Sequence, residues 1–208
     1  MSIVTLNDRA VRSVTTFGSL NTGSMVFIKK LTASSSGTLS FVNGTSDVVL
    51  DSTYKEYLFT FNNIHPQTDR FNNFTVNFST DGGSNYNVTK TTTFFSAEHD
   101  EADSDAFIAY KTADDLAQST SAQMLTTTAG VSADADHSTS GTLQLFNPSS
   151  TTFVKHFISN TNFNHWQDYS ANVYVAGYGN TTSAIDAVQF SFASGNIDAG
   201  DICLYGIL

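Results

Sequence analysis

Residues 53–66 read TYKEYLFTFNNIHP, with Tyr57, Phe59 and Phe61 on alternate positions and Glu56, Leu58 and Thr60 between them. Alternate side chains of an extended strand point to opposite faces, so this pattern predicts a strand with one wholly aromatic, buried face. The same two-residue period runs through residues 36–43 (SGTLSFVN) before it and 74–78 (FTVNF) after it. Three such runs in succession, separated by turn residues, predict a fold dominated by sheet.

Taken in order, residues 1–24 are polar and weakly patterned, with Arg9 and Arg12 against Asp8. They read as an N-terminal arm, either docking or frayed, leaving 25–208 as a single domain. Residues 24–31 (SMVFIKKL) give the first strand, and short strands are expected at 39–42 and 48–50. The Gly-rich DGGSN at 81–85 lies between two alternating runs, 74–78 and 87–95. That is a hairpin signal, with a calcium loop as the other reading.

Residues 96–137 differ in kind, carrying acids from Glu98 to Asp136 against Lys111 as the one base, with few apolar positions besides Phe107, Ile108 and Tyr110. A strand flanked by long exposed loops is predicted, with at most one helical turn at 113–117. Two readings stay open for its acids, a solvated surface and a metal or partner site. Residues 140–147 (SGTLQLFN) then repeat much of SGTLSFVN, which suits equivalent strands placed in two sheets. Strands at 153–158, 171–176, 185–192 and 201–207 bring the expectation to about ten to twelve, with almost no helix. So many half-buried strands need a facing layer, so the expected architecture is an all-β, antiparallel two-sheet β-sandwich, jelly-roll or concanavalin-like. A β-barrel is the alternative.

Composition narrows the function classes. Two prolines and 17 phenylalanines in 208 residues exclude a disordered tail, and the single Cys203 excludes an internal disulfide. Cys203 reads as a small buried hydrophobe. A formal charge of -10 argues against nucleic acid as a partner. The first residues lack the apolar run of a signal peptide and no later stretch suits membrane insertion, so synthesis in a cytoplasm is expected. The sequons at Asn43, Asn73, Asn77, Asn87 and Asn180 reflect an Asn, Ser and Thr rich composition, and no glycosylation is expected.

No catalytic pattern stands out, so no enzyme, cofactor or essential metal is expected. The five histidines form no HExxH, and in Glu98-His99-Asp100-Glu101 adjacent side chains point to opposite sides of an extended chain. Aromatics beside amides are another matter, because a ring stacks on the apolar face of a sugar while amides take its hydroxyls. Residues 163–178 hold His165, Trp166, Tyr169, Tyr174 and Tyr178 among Asn, Gln and Asp. His165, Trp166, Tyr169 and Tyr178 are the candidate glycan contacts, with Tyr174 placed in a strand and expected to be partly buried.

Two motifs, YKEYLFTFNNIHP (54–66) and SGNI with ICLYGI (194–197, 202–207), occur together with SGTLSF upstream and STDGGSNYN between. In this combination the chain resembles a family of virion structural proteins of tailed phages that infect marine bacteria, especially cyanobacteria, from about Leu31 onward. The resemblance implies a jelly-roll-like structural role, as a capsid-surface decoration or tail-associated fibre module, and carries over no functional residue. It implies a place in the virion; exposed strand edges in a Phe-rich chain add the expectation of a homotrimer, and an arm of opposite sign to the acidic body adds that of docking to other virion proteins through Arg9 and Arg12. A carbohydrate-binding module for host surface glycans is the alternative.

Overall fold

In the computed structural model, residues 24–208 are described; the arm with Arg9 and Arg12 lies outside them. Twelve strands follow one another with no helix among the described residues. They are β1 (Met25–Thr32), β2 (Leu39–Val42), β3 (Glu56–Pro66), β4 (Phe74–Ser79), β5 (Lys90–Asp100) and β6 (Ala106–Tyr110). The second half supplies β7 (Gln123–Met124), β8 (Thr139–Phe146), β9 (Lys155–His165), β10 (Tyr169–Gly179), β11 (Ala187–Phe192) and β12 (Ile197–Ile207).

All pairings are antiparallel and fall into two sheets. One has eight strands in the order β1-β12-β3-β8-β9-β10-β5-β6, the other four in the order β2-β11-β4-β7. The sheets face each other across one hydrophobic cluster, so the fold is a β-sandwich with one sheet twice as wide as the other. It is not a closed barrel, because β1 and β6 end the wide sheet without pairing to each other.

The aromatic face of β3 is buried as its alternation requires, with Tyr57, Phe59 and Phe61 at 1% exposure or less. Phe190 of β11 comes down from the narrow sheet onto it, its ring centre 5.3 Å from Phe59, 5.2 Å from Phe61 and 5.8 Å from Phe74. The Phe59 and Phe61 contacts are edge to face and the Phe74 contact is stacked, and such pairs stabilise beyond the area they bury. The alternation breaks at Asn63, whose φ of 51° marks a bulge where the register with β8 shifts between Phe61 and Ile64. The shift returns Ile64 to the core. The SGTL repeat divides as expected: β2 sends Leu39 and Phe41 inward from the narrow sheet, and β8 sends Leu143 and Leu145 inward from the wide one.

Three local expectations are corrected. Residues 48–50 form no strand; Val48 and Leu50 are buried in a loop held by Leu50 N–H donating to Asn43 Oδ1. The turn at 81–85 does not join a hairpin, since β4 lies in the narrow sheet and β5 in the wide one. Asp81 caps its own turn, its Oδ2 accepting from the Asn85 amide and its Oδ1 from Asn85 N–H and Ser79 Oγ–H, which holds its carboxyl down at about 2. A turn residue fixes a change of direction, not which strands pair afterwards. The acidic stretch is also not merely a solvated surface, because Glu98, Asp100 and Asp114 are buried.

Candidate functional site

The candidate glycan residues do not form one site. His165 ends β9 and Tyr169 begins β10, so a tight turn brings their rings within 5.6 Å. Tyr178 sits nine residues further along β10, roughly 30 Å away at 3.3 Å per residue, beside His156 at 6.1 Å. The two groups lie near opposite ends of the wide sheet.

At the first end the rings serve packing. His165 points inward and is 4% exposed; its Nδ1 accepts from Gln167 N–H, and burial lowers its pKa. That bond fixes the neutral tautomer with hydrogen on Nε2. Trp166 is already occupied: His165 stacks on it at 5.8 Å, Phe71 tilts against it at 5.8 Å, and the Arg70 guanidinium lies 4.6 Å from its ring centre. Tyr169 donates its hydroxyl to Asp105. These residues tie the β9–β10 turn to the 69–71 loop and to the approach to β6.

Two of the acids beside this turn, Glu98 and Asp100, are likewise committed. Ser96 Oγ–H donates to Glu98 Oε1 at 2.6 Å, and Lys111 Nζ lies 3.1 Å from the same oxygen. Asp100 caps the turn before β6 by accepting from Ser104 Oγ–H on Oδ2 and from Asp105 and Ser104 N–H on Oδ1, which lowers its pKa. Asp114 is only half satisfied: Oδ2 accepts from Thr128 N–H, Oδ1 is buried without a partner, and burial pushes its carboxyl up. His99, between Glu98 and Asp100 in sequence, points to the other face, as an extended chain requires.

The outer face of the wide sheet offers a different surface, one that none of the narrow sheet's strands covers. Phe95 of β5 and Tyr174 of β10 are directly paired across the ladder, with rings stacked 5.0 Å apart and 11° from parallel. They are 43% and 42% exposed. Tyr174 therefore lies on the solvent side, contrary to the expectation that its strand would partly bury it. Tyr110 of β6 extends the same cross-strand row on one side, and Asn160 of β9 extends it on the other. Asn160 and Asn172 exchange amide hydrogen bonds at 3.3 and 3.4 Å, and Asn162 donates to Ser170 Oγ at 3.2 Å. A stacked aromatic pair thus borders a short ladder of amides, with exposed Ile108 and Ile158 nearby on the same face.

Sequence reading missed this surface because it sought aromatics in loops. The available signal was the parity of β10: Ala171, Val173 and Val175 point inward, which places Tyr174 on the opposite face. Comparison of the chain with protein families, curated proteins and solved structures found no match.

Proposed function

We propose that this chain is a structural component of a tailed-phage particle, a capsid-surface decoration or tail-associated fibre module of jelly-roll-like type that works as a homotrimer. The observation that carries the reading is the wide sheet, whose outer face leaves Phe95, Tyr110, Ile108, Ile158 and Tyr174 exposed together. Apolar side chains gathered on one face of a soluble protein favour association. The resemblance to phage virion proteins supplies the particle. Arg9 and Arg12, in a segment of opposite sign to the acidic body, would dock it by charge-assisted hydrogen bonds to carboxylates of other virion proteins.

The test is incorporation. A tagged chain is produced during infection with and without residues 1–24, and particles are purified and imaged after labelling. The full chain is expected on the particle, at the head for a decoration or the tail for a fibre module. The truncated chain is expected to fold and stay off it. Absence of the full chain from particles overturns the reading, and normal incorporation of the truncated chain overturns the docking arm alone.

A second reading, recognition of host surface glycans, is favoured by the Phe95–Tyr174 pair beside the Asn160, Asn172 and Asn162 amides. Rings supply an apolar contact and amides both donate and accept, which suits sugar hydroxyls. This moves the proposed contact from the turn of His165, Trp166 and Tyr169 to the sheet face, whose far end carries Tyr178.

A further inference from the structure

The wide sheet ends in two strands of opposite electrostatic character. β6 carries Phe107, Ile108 and Tyr110, with Ile108 78% exposed; exposed Asp103 and Asp105 precede it, and Lys111, which lies 3.1 Å from Glu98, and half-buried Asp115 follow it. β1 carries Met25 and Phe27, the latter 57% exposed, with Lys29 and Lys30 adjacent. No described strand pairs with the outer edge of either. Free edges with exposed apolar side chains are the places where one sheet continues into another.

We propose that copies of this chain join head to tail, β1 of one copy pairing with β6 of the next. The topology permits it directly. Eight strictly antiparallel strands put β1 and β6 in opposite directions, so laying one sheet beside another in the same orientation continues the antiparallel ladder without a break. Charge favours this joint. Antiparallel pairing of β1 with β6 sets Lys29 and Lys30, toward the C-terminal end of β1, beside Asp103 and Asp105 at the N-terminal end of β6, whereas two β1 edges would bring Lys29 and Lys30 together. Lys30 is already 3.2 Å from Asp201, so Lys29 is the more available of the two. A heterologous joint closes into a ring or runs on as a fibre, and both serve a repeated particle component.

This joint gives the homotrimer of the proposed function a specific interface, and it is tested on the isolated full chain, so it can fail while the particle assignment stands. Mass is measured by light scattering at micromolar concentration, with melting temperature as the control for folding. The unaltered chain is expected as a multimer. Ile108→Asp should reduce the mass to one chain with the melting temperature kept. Lys29→Glu/Lys30→Glu and Asp103→Lys/Asp105→Lys should each weaken association at least tenfold. The chain carrying all four reversals should regain it, because the opposite signs then face each other again. A one-chain mass for the unaltered protein overturns the proposal, as does failure of the fourfold reversal to restore association when it folds. Unchanged mass in Ile108→Asp also overturns it, and that single exposed change keeps the test decisive if the multiple variants misfold.

Discussion

The rings of Phe95 and Tyr174 lie 5.0 Å apart and nearly parallel on the solvent side of the wide sheet. A pair so placed contributes little to the core, since each ring keeps more than two fifths of its surface in water. Replacing both by Ala should cost about 0.5–1.5 kcal/mol, a fall of a few degrees in melting temperature. The same change should abolish binding of an oligosaccharide in NMR titration. Trp166→Ala should do the reverse, lowering the melting temperature and leaving sugar binding alone, because its ring is held by His165, Phe71 and Arg70. Sugar shifts that survive the Phe95/Tyr174 double replacement would refute the relocated contact.

Phe190 is the opposite case. It is wholly buried and reaches Phe41, Phe59, Phe61 and Phe74 from the narrow sheet. Phe190→Ala should cost about 3–5 kcal/mol in chemical denaturation, combining lost transfer energy with a cavity between the sheets. A loss under 1 kcal/mol would mean that the sheets do not depend on this ring for their contact.

The two SGTL copies separate sequence similarity from structural demand. A Cβ on Gly37 would meet only Asn196 Oδ1 at 3.8 Å, an ordinary contact. One on Gly141 would fall 2.2 Å from the Asn160 carbonyl oxygen, where β8 and β9 pair. Gly37→Ala should therefore change stability by about 0.5 kcal/mol or less, and Gly141→Ala should lose several times that. Equal effects in thermal melts would show that the close approach at Gly141 is not real.

Lys90 makes stability depend on alkaline pH. It is fully buried at the start of β5, with Nζ donating to Asn77 Oδ1 and the Val88 carbonyl, and desolvation lowers its pKa from 10.5 to about 8. Between those values the unfolded chain binds the proton and the folded chain does not, so stability rises with pH across that window. The full gain corresponds to roughly 3 kcal/mol. Tyr57 acts oppositely: burial raises its pKa to about 12, so the folded state keeps a proton that the unfolded chain loses from pH 10 upward. Denaturation midpoints should climb from pH 8 to about 10 and then fall, and Lys90→Met should remove the climb. A flat profile in the unaltered protein would mean that Lys90 stays charged when folded.

The strands were legible because their burial follows a local two-residue period, as in β3, where the aromatic positions named from sequence are the buried ones. Partnering was less so. The turn at 81–85 announces a reversal, yet β4 and β5 belong to different sheets, a fact set by contacts with β11 and β10 far along the chain. The site was read least well. His165 and Trp166 look like loop residues beside polar neighbours, and only the folded turn shows the ring of one packed on the other. Buried acids escaped notice for a similar reason: Glu98 is buried because Lys111 and Ser96 come to meet it, which no periodicity records.

The central claim, that this chain is a repeated component of a phage particle, is tested most directly by its copy number in purified virions. On that proposal, particles of a tailed phage carrying this coding sequence are banded on a density gradient, washed in high salt to strip loosely held protein, and quantified by mass spectrometry against the major head protein. The account predicts many copies per particle, in a multiple of three and retained through the wash. Its absence from washed particles, with the protein present only in the soluble lysate, would contradict the account.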